Sequence, residues 1–169
     1  MTFQKQVNIE MGFGVPGDIH TDGPTRTESL VMNSEGSQPN YVGYAFTKDN
    51  ATGVAKVGGE IASGRVFAGI LVNAKAYPLF GTNGDTLAPT LALPDHQRGD
   101  FLTMGDVVVK VATSCKIGDL VAYDTTTGEL STVAVGSSAD GGKVLIPNAV
   151  VYRFPVTTEG GLTVIRLTN

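Results

Sequence analysis

Glycine and proline punctuate this chain so densely that helices have almost nowhere to form. The 22 Gly and 8 Pro are spread along all 169 residues, and the longest stretch free of both is Asp106–Ile117, twelve residues. A helix that stands alone needs about 12–15 good helix formers. This stretch instead opens DVVVKV, four β-branched residues in six, and such residues favour strands because their χ1 freedom is already restricted. The expected class is therefore all-β: one compact antiparallel β-barrel or jelly-roll-like sandwich of short strands, with an extended N-terminal arm.

The strongest β language lies between Phe101 and Ser131. Three runs, Asp106–Ala112, Gly118–Asp124 and Glu129–Val135, are separated by short gaps rich in turn formers. Gaps of three to five residues between β-type runs read as hairpins. Earlier strands are expected at Ser29–Met32, Tyr41–Thr47, Val54–Val57 and Gly64–Val72, with a short edge strand at Thr90–Leu93 and one helical turn at Asn73–Tyr77. Gly69 inside GRVFAGILV marks a bulge or a close backbone approach. Gly136–Lys143 reads as a loop, and Ala149–Phe154 with Leu162–Leu167 as a closing hairpin across Thr157–Gly161. Eight to ten short strands at this spacing fit a barrel or a sandwich.

Residues 1–27 differ in character. Phe3, Val7 and Ile9 alternate with polar residues, and then GFGVPGDIHTDGPTR follows without helical period. This segment cannot build a core of its own. It reads as an N-terminal arm laid on a neighbouring subunit, or as a first edge strand of the domain's own sheet, with residues 28–169 as the β-domain. Phe3, Val7, Ile9, Phe13, Val15 and Ile19 are its apolar side chains without an obvious domestic core, and hence the candidate contact residues.

A chain of 169 residues buries about 70% of its extended surface when folded, so neither metal nor disulfide is required to hold it. The single cysteine, Cys115, cannot form an intrachain disulfide. A net charge of −4 and a pI near 5 disfavour nucleic acid and anionic membranes, which call for a basic footprint. No apolar run approaches the ~18 residues of a membrane span. The opening MTFQKQVNIEMGFGV has neither the basic start nor the apolar centre of a signal peptide, so a soluble product made in the cytoplasm is expected.

The chemical motifs are weak. Gly12-Phe-Gly14-Val-Pro-Gly17 has the G-x-G-x-x-G spacing, but Asp18-Ile-His-Thr-Asp-Gly-Pro follows where a dinucleotide site needs a helix N-terminus. Gly136–Lys143 is one residue off P-loop spacing, and Val144 stands where Ser or Thr would hold magnesium. His20 and His96 are far apart, and His20 is flanked only by Asp18 and Asp22, a poor metal set. Asn50-Ala-Thr52 fits a glycosylation acceptor, without any sign of secretion. No Ser lies in a nucleophile elbow. No catalytic, cofactor-binding or metal-binding residue is assigned.

Three segments in order carry a resemblance: GVPGDI…DGPTR (Gly14–Arg26), VFAGILVNAKAY (Val66–Tyr77), and FLTMGDVVV with KIGDLVAYDTTTGELST, leading to LIPNAVVYRFP and GLTVIRLT. Together they cover most of the chain, and the order resembles the structural cement, or head decoration, proteins of tailed bacteriophages. That resemblance implies a non-enzymatic virion protein, made in the host cytoplasm and placed on the outer capsid surface. Its implied partner is the major capsid protein, whose subunits it bridges as a homo-oligomer, dimer or trimer, with no nucleic acid, membrane or cofactor. The alternative is a carbohydrate- or receptor-binding β-domain of a tail or host-recognition protein. Sugar sites generally stack on exposed aromatics, and this chain has no Trp.

Overall fold

The valine run sits at the middle of the architecture. The computed structural model describes residues 14–20, 23–36, 38–62, 64–74, 92–158 and 160–168. Its strands are β1 (Ile19–His20), β2 (Arg26–Val31), β3 (Asn40–Tyr41), β4 (Ala45–Asp49), β5 (Ala55–Val57), β6 (Arg65–Leu71), β7 (Ala92–Leu93), β8 (Arg98–Lys110), β9 (Leu120–Asp124), β10 (Leu130–Val133), β11 (Lys143–Arg153) and β12 (Leu162–Leu167). No helix occurs among the described residues. The all-β expectation holds. The helical turn expected at Asn73–Tyr77 runs outside the described residues from 75 onward.

Ten strands form one sheet along the path β10-β9-β11-β12-β8-β6-β4-β5, with β1 and β2 also on β8, while β3 and β7 pair separately. β8 is the common member. Its first half pairs with β2 and, at Leu102 and Phe101, with β6; its second half pairs with β12 and, at Val107 and Asp106, with β1. All these pairings are antiparallel. Single parallel bridges, Met32–Ala55 and Val111–Leu130, draw the sheet's ends inward. The sheet is open rather than a closed barrel, so the sandwich-like alternative is the one that stands.

Side-chain alternation along β8 feeds two cores. Leu102, Val107 and Val109 join Val121, Tyr123, Leu130, Ile165 and Leu167 in the larger one. Phe101 joins Met32, Phe46, Val57, Leu71 and Leu93 in the smaller, where the Phe46 and Phe101 rings lie 5.1 Å apart in a tilted pair.

Three expectations need correction. β8 begins at Arg98, not Asp106, because the glycines read as breaks lie inside the strand. A Cβ at Gly99 would stand 2.7 Å from Leu71 Cδ1 and 2.9 Å from Met32 Sδ. Glycine is there to let the core approach. Nor do the first two valine runs form a hairpin. β9 pairs with β10 and β11, and the link from β8 is held elsewhere, with Cys115 paired to Val156 and Ala112 N–H donating to Leu130 O at 2.9 Å. The β9–β10 and β11–β12 hairpins do form. β11 starts at Lys143, ahead of the expected Ala149, and takes in Pro147 where its pairing with β9 shifts register between Leu145 and Val150, since a bulge tolerates a proline.

Gly69 is the position where β6 parts from β8. Its φ is +135°, and a Cβ there would lie 2.5 Å from Leu102 O. Gly69→Ala is expected to destabilise the protein by about 2 kcal/mol or more, read as a lower urea midpoint. Gly118→Ala isolates the conformational part, since φ is +94° with nothing within 4 Å. It should cost only about 1 kcal/mol.

Candidate interaction surface

The segment before β2 is pinned to the body by its backbone. Gly17 N–H donates to Val108 O at 2.7 Å, Val108 N–H to Asp18 O at 2.8 Å, and Asn73 N–H to Gly17 O at 2.8 Å. The Asn73 side-chain amide adds a bond to Asp18 Oδ1 at 3.1 Å. Gly17 has φ +89°, and a Cβ would collide with Val42 Cγ1 at 2.1 Å, so this glycine serves a tight turn and not a phosphate loop. A strand follows it, not a helix.

Of the six nominated contact residues, the structure places two. Val15 is 53% exposed, and its N–H donates to Asp18 Oδ2 at 3.0 Å. Ile19 lies in β1 opposite Val107 and is partly exposed. Phe3, Val7, Ile9 and Phe13 lie outside the described residues. The boundary expected at 27/28 falls within β2.

Sequence reading missed a polar cluster on the other face of β8. Asp106 is 2% exposed, and both its oxygens accept from Arg166, Nε at 2.7 Å and Nη2 at 2.8 Å. Arg166 also stacks over Tyr152, 3.6 Å from the ring centroid. The bidentate bond to Asp106 raises the Arg166 pKa further. The signal was legible: an aspartate beginning a valine run, and an arginine inside the apolar closing strand. Also missed was an open groove of about 710 Å³ where β6 leaves β8, walled by Arg26, Glu28, Val66, Phe67, Thr103 and Pro147.

Elsewhere carboxylates staple loops. Burial pushes Asp95 up, but N–H donors from Ser34 (2.8 Å), the Asn40 amide (2.9 Å) and Gly36 (3.0 Å) outweigh it and hold the group below its ordinary value. Asp124 is likewise lowered, first by Thr127 N–H at 2.9 Å against burial, then by Thr126 N–H at 2.8 Å. Burial pushes the Tyr123 phenol up to about 12, with its hydroxyl donating to Gly59 O at 2.7 Å. Cys115 is buried. Among the described residues no group of three or more His, Cys, Asp or Glu could hold a metal, and no helix is long and apolar enough to cross a membrane.

This arrangement is built of turns, staples and packed strands, and the chain is similar to known proteins. A family model described as structural cement protein (E217 gp24/Pam3 gp6) matches residues 3–168. The chain belongs to the structural cement protein family. A chain from a solved structure, the capsid of Myoviridae phage XM1, shares the fold of this cement protein with a TM-score of 0.66. The two are 16% identical, over 100% of this chain and 99% of that one. No curated protein matches.

Two outcomes test the electrostatics of this cement protein. Arg166→Ala leaves Asp106 buried without its cation. It should cost about 2–3 kcal/mol, under the figure for a fully enclosed pair because Arg166 is partly exposed. Asp95 and Asp124 have folded pKa values below the unfolded value of roughly 3.9. Their stabilisation is complete above that value and is lost as pH falls through the folded pKa. The urea midpoint should therefore be flat between about pH 5 and 7 and drop below about pH 4, with a shallower drop in Asp95→Asn.

Proposed function

We propose that the protein binds the outer surface of an assembled phage capsid and bridges neighbouring major capsid subunits, so that the shell resists disruption. The observation that carries this reading is the family match from residue 3 to residue 168, which takes in the N-terminal segment as well as the β-body. In this reading the protein does no chemistry. It acts as a rigid homo-oligomer, a dimer or trimer, whose partner is a protein surface rather than nucleic acid or lipid.

The N-terminal residues reach from the body to that surface through Phe3, Val7, Ile9 and Phe13, with Val15 and Ile19 at the root. An extended segment can dock by adding a strand to a neighbour's sheet edge, where backbone bonds supply affinity that tolerates side-chain change. An oligomer held at several points gains avidity of ~10²–10⁴. Stabilisation follows mass action, because a ligand of the assembled state alone shifts the equilibrium toward assembly.

Shells lacking the protein, incubated with it and then heated, should release their contents at a higher temperature than untreated shells. An unchanged release temperature at saturating protein would overturn the reading. Deleting residues 1–13 keeps the Gly17 and Asp18 bonds. That variant should fold with an unaltered circular-dichroism spectrum yet bind shells at least tenfold more weakly.

A further inference from the structure

We infer that one end of the sheet, around Lys110, Lys116, Ile117, Phe154 and Leu162, docks on a carboxylate-bearing protein surface of the capsid. This inference rests on the capsid-binding reading and says which face of the body meets the shell. Register brings these positions together. Leu162 lies opposite Lys110, and Arg153 opposite Val164. Gly118 N–H donates to Val151 O at 2.9 Å, and Cys115 bridges Val156, so the Lys116–Ile117 loop runs beside the end of β11. Leu120 pairs with Val133, which brings Val135 to the same end.

Four exposed apolar side chains lie at this end of the sheet. Ile117 is 63% and Val135 72% exposed, and Phe154 and Leu162 are each more than a third exposed. These are four of the eight large hydrophobics exposed among the described residues. Water-facing apolar groups clustered within a charged rim mark interaction sites, whereas scattered ones need no explanation. Phe154 is further held at φ +58°, a conformation that bulky residues adopt at a cost and that fixed surroundings sustain. Thr163 Oγ1 anchors the preceding carbonyl, Arg153 O, at 2.8 Å.

The rim defines the partner's charge. The chain carries 16 acidic and 12 basic residues, and elsewhere Lys48 pairs with Glu28 and Lys56 with Glu35, while Lys143 lies opposite Asp124 in the β9–β11 register. Lys110 and Lys116 pair with none among the described residues. Asp119, the carboxylate of this loop, is occupied as a staple, accepting the Lys116 backbone N–H at 2.8 Å. Two unmatched cations on an acidic chain, set beside apolar side chains, complement an apolar seat rimmed by Asp or Glu.

The test is shell binding by sedimentation at several salt concentrations, using the full chain. Ile117→Asp and the double variant Lys110→Glu/Lys116→Glu should each weaken binding at least tenfold. The charge variant should also lose most of the wild type's salt dependence. Val31→Asp, at an exposed site on β2, serves as the control and should bind like wild type. Oligomeric mass and melting temperature should not change in any variant. Tip variants that bind as wild type does would overturn the inference while leaving the capsid reading intact. Tip variants that dissociate the oligomer would also overturn it, reassigning the face to a second copy. A wild-type protein that fails to bind shells would overturn both.

Discussion

The backbone of β8 is paired along both edges, and the rest of the molecule is arranged to supply those pairs. Buried N–H and C=O groups must find partners, and thirteen residues from Arg98 to Lys110 present two rows of them. β2 and β1 serve one row; β6 and β12 serve the other. These partners come from positions 19 to 167 of the chain, so β8 cannot be satisfied by any local folding event. Closing such loops before their contacts form makes sheets of this kind slow to fold. Once formed, Phe101 and Leu102 commit neighbouring residues of one strand to two different cores, and neither half can move without the other.

Gly17 reinforces that coupling from outside the strand. Its N–H bonds Val108 in the second half of β8, and its carbonyl accepts from Asn73, just past the end of β6, which pairs with the first half. A residue with a side chain could not occupy this point, because Val42 and the Asn73 backbone already fill the space. The segment that reads as a free turn in sequence is therefore a clasp. What precedes Gly14 departs from a fixed position on the body.

Fold class was legible because glycine spacing and β-branched runs act locally. β12 matches its expected bounds, and β4, β5, β6, β9 and β10 overlap theirs, since each is a short run flanked by turn chemistry. Where the reading failed, the cause was tertiary. Gly99 is a glycine because Leu71 and Met32 press on it, and Pro147 sits in a strand because a bulge receives it. No local rule distinguishes these from breaks. The sequence gap between the runs ending at Ala112 and starting at Gly118 has hairpin length, but the link from β8 to β9 spans residues 111–119, and Leu130 and Val156 claim its backbone. The candidate interaction surface was legible only in part. Val15 and Ile19 stood out as apolar residues in a turn-rich segment, but the exposed cluster at the Lys110 end comes from five separate stretches that only the register joins.

The Asp106–Arg166 pair shows what a rigid body of this type requires beyond burial. Removing Asp106 from water costs several kcal/mol, and a well-packed apolar pair would serve stability as well. The two residues are direct partners in the β8–β12 register. A slip of one residue would set Arg166 opposite Gly105 or Val107 and leave Asp106 buried without its cation. It would also turn the apolar face of β12 away from the core. Val107, Val108 and Val109 lie opposite Ile165, Val164 and Thr163, so apolar packing and the ion pair favour the same register. The ion pair adds to the discrimination that the buried face already makes. It fixes where Leu162 meets Lys110, and with that the layout of the end of the sheet that the capsid reading presents to its partner.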